Sequence, residues 1–323
     1  MDLLSSWELF LNGARRGRGA AGGLLTPIIA AIDLRRSKRC GLALALVAAL
    51  AACAADTLLL ERPGRHGAII VSEAPGGLRT LRFAMDGTRQ SVVRLGDPEH
   101  LELPYARVAM AGLALVARPQ RVLVVGLGGG SIPMFLRARV PEAMIDVVEI
   151  DPDVIEVAAR YFGVVADARL RVHLGDGRQF IERSPPAAYD LVILDAFGAH
   201  SVPRHLATLE FLRAVRAALR PDSVVVSNVW NRASNPLHDD MLATLRAAFA
   251  AIHVVDVHGD VSRIVLGLPR IDPMDGPELA RRAAAVSVAR GFRFDLGTLV
   301  EAGYAPVERD GAAGSVLHDR GAP

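Results

Sequence analysis

An α/β fold follows from the sequence: a mostly parallel sheet flanked by helices, closed by an antiparallel last strand and preceded by a small β-hairpin domain. Three observations predict it. The apolar run Val122–Val125 passes directly into a glycine-dense loop, Gly126-Leu-Gly-Gly-Gly130, and then into a helical pattern from Ser131. Three more short apolar runs follow and also end in an acid or a glycine: Ile145–Val148 before Glu149, Leu170–Leu174 before Gly175-Asp176-Gly177, and Tyr189–Leu194 before Asp195. Alternation of strands with helical segments then implies βαβ units and a parallel sheet. In open sheets of this kind ligands sit at the C-terminal edge, where these glycines and acids fall.

Taken in order, residues 67–95 alternate in strand fashion. Ala68–Val71 runs to a turn at Pro75-Gly-Gly77, after which Leu81, Phe83 and Met85 share one face. The expected result is a hairpin lid beside the ligand, followed by a turn at Asp86-Gly87. Residues 105–117 read as a helix leading into the first strand. After Asp195, Phe197–Pro203 has the polarity of a loop over the acceptor. His205–Leu219 has helical periodicity with Pro221 just past its end. Ser223–Trp230 is a fifth strand, Leu237–Ala251 a helix, Ile252–Val255 with Ile264–Leu268 the closing antiparallel pair, and Glu278–Arg290 another helix. From Glu308 onward Gly, Ala and charge dominate, which predicts a disordered tail. The organisation expected is a leader over 1–60, a small β domain with its linking helix over 61–118, the sheet domain over 119–270, and a C-terminal helix and tail over 271–323.

The glycine loop lets the backbone approach a ligand closely and aims N–H groups and a helix N-terminus at it. It is not a nicotinamide fingerprint, because Ser131 stands where the third glycine of Gly-x-Gly-x-x-Gly belongs. It is not a phosphate loop, because no Gly-Lys-Ser/Thr follows. An adenosyl sulfonium donor fits better. Gly126, Gly128, Gly129 and Gly130 pack against its amino-acid or aminopropyl tail, Glu149 holds the ribose, Asp176 with Gly177 meets the adenine amino group, and Asp195 faces the reacting carbon. Each acid also suits a plain helix N-cap.

Residues 122–228 resemble the catalytic domain of spermidine-synthase-like proteins, transferases of the class I S-adenosylmethionine fold, with a Rossmann-like sheet. The matching pieces are the glycine loop, Val147–Pro152, Gly175-Asp-Gly177 and Tyr189–Asp195. Upstream, Met85–Gln90 is similar to the Leu-Asp-Gly-x-x-Gln segment of the family's N-terminal β domain, which implies that Gln90 reaches the donor. Two positions depart from the aminopropyltransferases. Gly129 stands where they carry an Asp that holds the donor's terminal amine, and Gly198 stands where a second Asp helps bind the polyamine. The loop version, Gly126–Ser131, resembles instead the spermidine-synthase-like methyltransferases, including those that methylate protein.

A 323-residue chain that is 51% hydrophobic but only 5% aromatic holds one α/β domain with a large Ala/Val/Leu core and appendages. Its net charge of +2, with no basic cluster interleaved with aromatics in the domain, excludes nucleic acid as the expected ligand. No metal is implied: the nine histidines form no His-x-x-x-His pair, and both cysteines, Cys40 and Cys53, precede the domain. The leader joins a basic run, Arg35–Arg39, to the short apolar stretch Gly41–Ala52 and then Cys53. Basic, apolar and small segments in that order are the parts of a secretory signal. Leu50-Ala-Ala-Cys53 resembles a lipobox, so membrane association through Cys53 is the expectation, with a cytoplasmic chain as the alternative.

The chemistry implied is an in-line displacement at a carbon bonded to sulfonium. The leaving thioether is neutral, so the enzyme mainly positions the reactants and supplies an unprotonated nucleophile. Asp195 attracts an amine cation and takes its proton; His200 and His205 are rival bases. Three readings stand. One is aminopropyl transfer from decarboxylated S-adenosylmethionine to a polyamine such as putrescine. Another is methyl transfer from S-adenosylmethionine to a protein or small molecule. The last is an adenosyl-binding scaffold without catalysis. The partners expected are the adenosyl donor as co-substrate, with no permanently bound cofactor, a polyamine or other amine acceptor, and a second copy of the chain.

Overall fold

The computed structural model describes residues 56–65, 67–197, 202–305 and 314–319. The expectations for the leader, including Cys40 and Cys53, and for Gly198 and His200 lie outside the described residues. Among the described residues no helix is long and apolar enough to cross a membrane.

A four-stranded antiparallel sheet opens the fold: β1 (Thr57–Gly64), β2 (Gly67–Ala74), β3 (Leu78–Arg82) and β4 (Arg89–Arg94), paired in that order. It is larger than a hairpin and begins inside the span assigned to the leader, because Thr57–Gly64 finds its ladder partners in β2. Period-two alternation turns Ile69, Val71, Leu81 and Val93 to one face, where they pack with Val154, Val157 and Phe162 of α3 (Pro152–Phe162). Arg62 bridges Asp153 and Glu156 of that helix at 3.2 and 3.0 Å.

The linking segment is α1 (Pro104–Ala109) followed by a 3₁₀ turn, Met110–Ala114, rather than one helix over 105–117. Then come β5 (Arg121–Val125), α2 (Ser131–Arg139), β6 (Met144–Glu149), the α3 already named, β7 (Leu170–Leu174), α4 (Gly177–Glu182), β8 (Tyr189–Leu194), α5 (Leu209–Ala218) and β9 (Leu219–Trp230). The chain ends with α6 (His238–Ala248), β10 (Ala251–Asp256), β11 (Ser262–Leu268), α7 (Gly276–Arg290), α8 (Leu296–Gly303) and β12 (Tyr304–Ala305). The sheet order is β12-β10-β11-β9-β8-β5-β6-β7. Strands β7, β6, β5, β8 and β9 run parallel, and β11 turns antiparallel against β9. This is the expected doubly wound sheet with an antiparallel close. Alternate residues serve its two cores. Val122, Val124, Ile145 and Ile193 face one, and Leu123, Val125, Val148 and Val192 face the other.

One helix boundary moved for a local reason. The stretch from His205 does not enter a helix at once, because the Thr208 hydroxyl accepts from the Phe211 N–H and caps α5 there. The tail expected to be disordered includes an ordered stretch: residues 314–319 lie against α5 and α6, with Leu317 only 5% exposed. Composition pointed to disorder, but Leu317 packs into the core beside α5 and α6, and His318 and Asp319 pair with Glu210 and Arg178.

Candidate active site

The first strand at the topological switch is β5, whose neighbours β6 and β8 carry chain in opposite directions across the sheet. Register brings the predicted residues together. Val125 pairs with Val148 on one side and Leu194 on the other. The Gly126 N–H then donates to Val148 O, Asp195 N–H to Val125 O and Gly175 N–H to Glu149 O, each at 2.9 Å. Glu149 and Asp195 therefore flank the glycine loop from the strands on either side of β5, two strand spacings or about 10 Å apart. They border one cavity of about 340 Å³ together with Gln90, Gly126, Gly128, Asp176 and Gly177. That volume is in the range of small-molecule sites. Gly129 and Gly130 lie in the same loop but do not line the cavity.

The loop glycines answer different demands. Gly126 has φ +100°, and a Cβ there would sit 2.4 Å from the Asp195 carbonyl oxygen. Gly130 caps α2 with φ +78°, and its Cβ would meet Val164 at 2.3 Å. Gly129 has no positive φ; a side chain there would collide with Phe162 and the Ser91 Oγ, both at 2.9 Å. Gly177 touches Val125 so closely that a Cβ would fall 2.4 Å from it, which seats α4 on β5. Gly126→Ala is expected to destabilise the fold by at least about 1–3 kcal/mol, the cost of a side chain in a strained backbone region. A thermal melt unchanged in this variant would mean that the close approach of the two strands is relaxed in solution.

Each carboxylate is held in a distinct way. Glu149 Oε2 accepts from the Leu127 N–H at 2.9 Å and Oε1 from the Asp151 N–H at 3.0 Å. Each oxygen keeps a lone pair for a ligand. Burial raises its pKa, against the pull of those N–H groups. Asp176 caps α4 through the Gln179 N–H and pairs with His205 Nε2 at 2.8 Å. Burial pushes its pKa up, but the Gln179 N–H and His205 more than offset this and leave it lowered. Asp195 accepts from the Tyr105 hydroxyl at 3.1 Å and from Asn228 Nδ2 at 3.0 Å. It is not a helix cap. Burial pushes its carboxyl up to about 6, although both hydrogen bonds favour the anion. The same burial, with the Asp195 charge, drives the Tyr105 phenol well above its ordinary value, so Tyr105 serves as a donor only.

Four further residues complete the Asp195 end. Asn228 is buried, and its Oδ1 has no partner among the described residues. Phe197 stacks on Trp230 with centroids 4.9 Å apart and planes 12° from parallel. Asp260, in the turn between β10 and β11, lines the same end of the cavity. Sequence reasoning missed Tyr105, Asn228, Trp230 and Asp260. Asp260 beside Gly259 reads only as a hairpin turn, and nothing near Tyr105 distinguishes it from a helix-face aromatic. Of the rival bases, His205 is tied to Asp176 rather than to Asp195. Among the described residues no three His, Cys, Asp or Glu side chains cluster as metal ligands would.

The arrangement matches known proteins in sequence and in fold. Residues 105–255 match the spermine/spermidine synthase domain family. A polyamine aminopropyltransferase from Vibrio vulnificus is 37% identical over 247 residues, which span 75% of this chain and 82% of that protein. The chain belongs to the spermidine synthase family. The eEF1A lysine and N-terminal methyltransferase of Mus musculus is 35% identical over 185 residues, but the match spans only 26% of that longer protein. A probable spermidine synthase from Corynebacterium glutamicum shares the fold, with a TM-score of 0.64 over 80% of this chain and 96% of its own at 19% identity. Human methyltransferase-like protein 13, solved in complex with SAH, aligns with a TM-score of 0.54 at 32% identity, over 58% of this chain and 93% of its own.

Proposed function

We propose that this chain transfers an aminopropyl group from decarboxylated S-adenosylmethionine to a polyamine such as putrescine. The observation that carries this reading is the position of Asp195, a carboxylate fixed by Tyr105 and Asn228 at the sheet edge across the glycine loop from Glu149. Glu149 takes the donor's ribose hydroxyls, and Asp176, Gly177 and Gln90 border the remainder of the donor. Beyond Asp195, the Phe197–Trp230 pair and Asp260 offer aromatic faces and a second negative charge. Both attract an alkyl ammonium. A carboxyl titrating near 6 is ionised at neutral pH and can accept the proton of the incoming ammonium. The free amine then attacks the carbon beside the sulfonium, a C–N bond forms as the C–S bond breaks, and methylthioadenosine leaves.

A second reading is favoured by one feature. At Gly129 there is no room for the side chain that holds an aminopropyl amine in the relatives, since Ser91 and Phe162 fill that space. Arg89, also bordering the cavity, is a counter-charge for a donor that keeps its carboxylate. Those observations suit methyl transfer from S-adenosylmethionine. Calorimetry with the two donors separates the readings. Tighter binding of the decarboxylated donor, with labelled aminopropyl appearing on putrescine, is the expected result. Preference for S-adenosylmethionine, with no product from putrescine, replaces it by methyl transfer, and binding without turnover of either donor leaves the adenosyl-binding scaffold.

A further inference from the structure

The polar stretch 314–319 is held at closely spaced points. The Ser315 N–H donates to Asp240 Oδ1 at 2.7 Å and the Leu317 N–H to the Thr244 hydroxyl at 2.9 Å, both on α6. Leu317 O accepts from the Leu209 N–H at 2.7 Å, at the start of α5. Its side chain joins the core formed by Phe211, Leu212 and Leu245. Glu210 takes His318 Nδ1 at 2.8 Å and the Asp319 N–H at 3.0 Å.

Asp319 then reaches across to α4. Its two oxygens accept from Arg178 Nη1 and Nη2 at 2.7 and 2.6 Å, a bidentate pair. Arg178 stands two residues after Asp176 and one after Gly177, which is seated against Val125 without slack. Its Nη1 also lies 3.4 Å from the His205 carbonyl oxygen and 3.5 Å from the Thr208 hydroxyl. His205 in turn closes on Asp176 at 2.8 Å. Asp176 and His205 are both in the cavity wall, so a ring of contacts runs from the tail through Arg178 into that wall. The Arg178 guanidinium holds the Asp319 carboxyl down to about 2, so the pair stays ionised across the working pH range.

We propose that residues 315–319 form a strap for the donor pocket, in which Asp319 and Arg178 are positioning residues for the wall carrying Asp176 and His205. The strap touches no donor itself and contributes by removing freedom from a wall that binding would otherwise have to order. It rests on the reading of this cavity as an adenosyl-donor site.

The test measures methylthioadenosine and S-adenosylhomocysteine affinity by calorimetry on the full chain, with unliganded thermal melts alongside. Asp319→Asn is expected to weaken nucleoside binding about tenfold, in the range for one hydrogen-bonded charge pair that is partly exposed. The donor KM should rise by the same factor while kcat at saturating donor changes less than twofold. Asp319→Glu should recover the affinity. Arg178→Lys, which keeps the charge but not the fork, should weaken binding as Asp319→Asn does and serves if that variant folds poorly. A lower melting temperature with unchanged affinity makes the strap a stability element only and overturns the proposal. Glu149→Ala, run in parallel, separates the two failures. If Glu149→Ala loses binding while Asp319→Asn and Arg178→Lys keep it, the strap alone is rejected. If wild type binds neither nucleoside, the donor reading falls and the strap falls with it.

Discussion

Asp195→Asn is expected to lower turnover by roughly 10²-fold or more, the usual contribution of a general base, while donor affinity stays within a few-fold. The substitution keeps size and one of the two acceptor oxygens that face Tyr105 and Asn228, and it removes the charge that attracts and deprotonates an amine. Two pH effects accompany it. In wild type kcat/KM should fall as pH drops through about 6, where Asp195 takes up a proton, and this limb should vanish in the variant. Stability runs the other way. The folded carboxyl holds its proton up to about 6, whereas the unfolded one releases it near the ordinary 3.8. Between those values the folded state binds more protons, so stability is lost as pH rises through the window. Asp195→Asn, neutral throughout, should therefore melt higher than wild type above pH 6. A variant with near-normal turnover on the true acceptor would leave Asp195 a buried structural acid.

The second large effect is on donor binding. Glu149→Ala should weaken affinity for methylthioadenosine by on the order of 2–3 kcal/mol, the value of hydrogen bonds to a charged acceptor. Its two oxygens also receive the Leu127 and Asp151 N–H groups. The variant therefore frees the loop and the start of α3 as well, and a modest fall in melting temperature comes with it. Glu149→Gln offers one acceptor oxygen in place of two and should fall between wild type and alanine. An alanine variant that binds the nucleoside normally would remove Glu149 from the donor site and leave it as a tie between two loops.

Much of the donor side was legible in the sequence. Val122–Val125 running into Gly126–Gly130, and Ile145–Val148 into Glu149, are local patterns: a buried parallel strand is an unbroken apolar run, and its end is marked by what cannot be buried. Once β5 is placed beside β6 and β8, Glu149 and Asp195 fall level with Gly126 without further assumption. The surroundings of Asp195 were not legible. Tyr105 and Asn228 lie 90 and 33 residues from Asp195, and no spacing in the chain connects them to it. Their meeting depends on α1 packing against the sheet and on β9 lying next to β8.

Order in the fold, strand ends and the glycine loop thus follow from the chain alone, because hydrophobic period and backbone freedom are properties of a few consecutive residues. The extra strands of the N-terminal sheet and the docking of Leu317 do not. Each is settled by pairing with another element: β2 for Thr57–Gly64, and α5 with α6 for the tail. The ionisation of Asp195 belongs to the same class. Its carboxyl titrates near 6 because burial excludes water from it, and burial of that kind has no signature in the residues beside it.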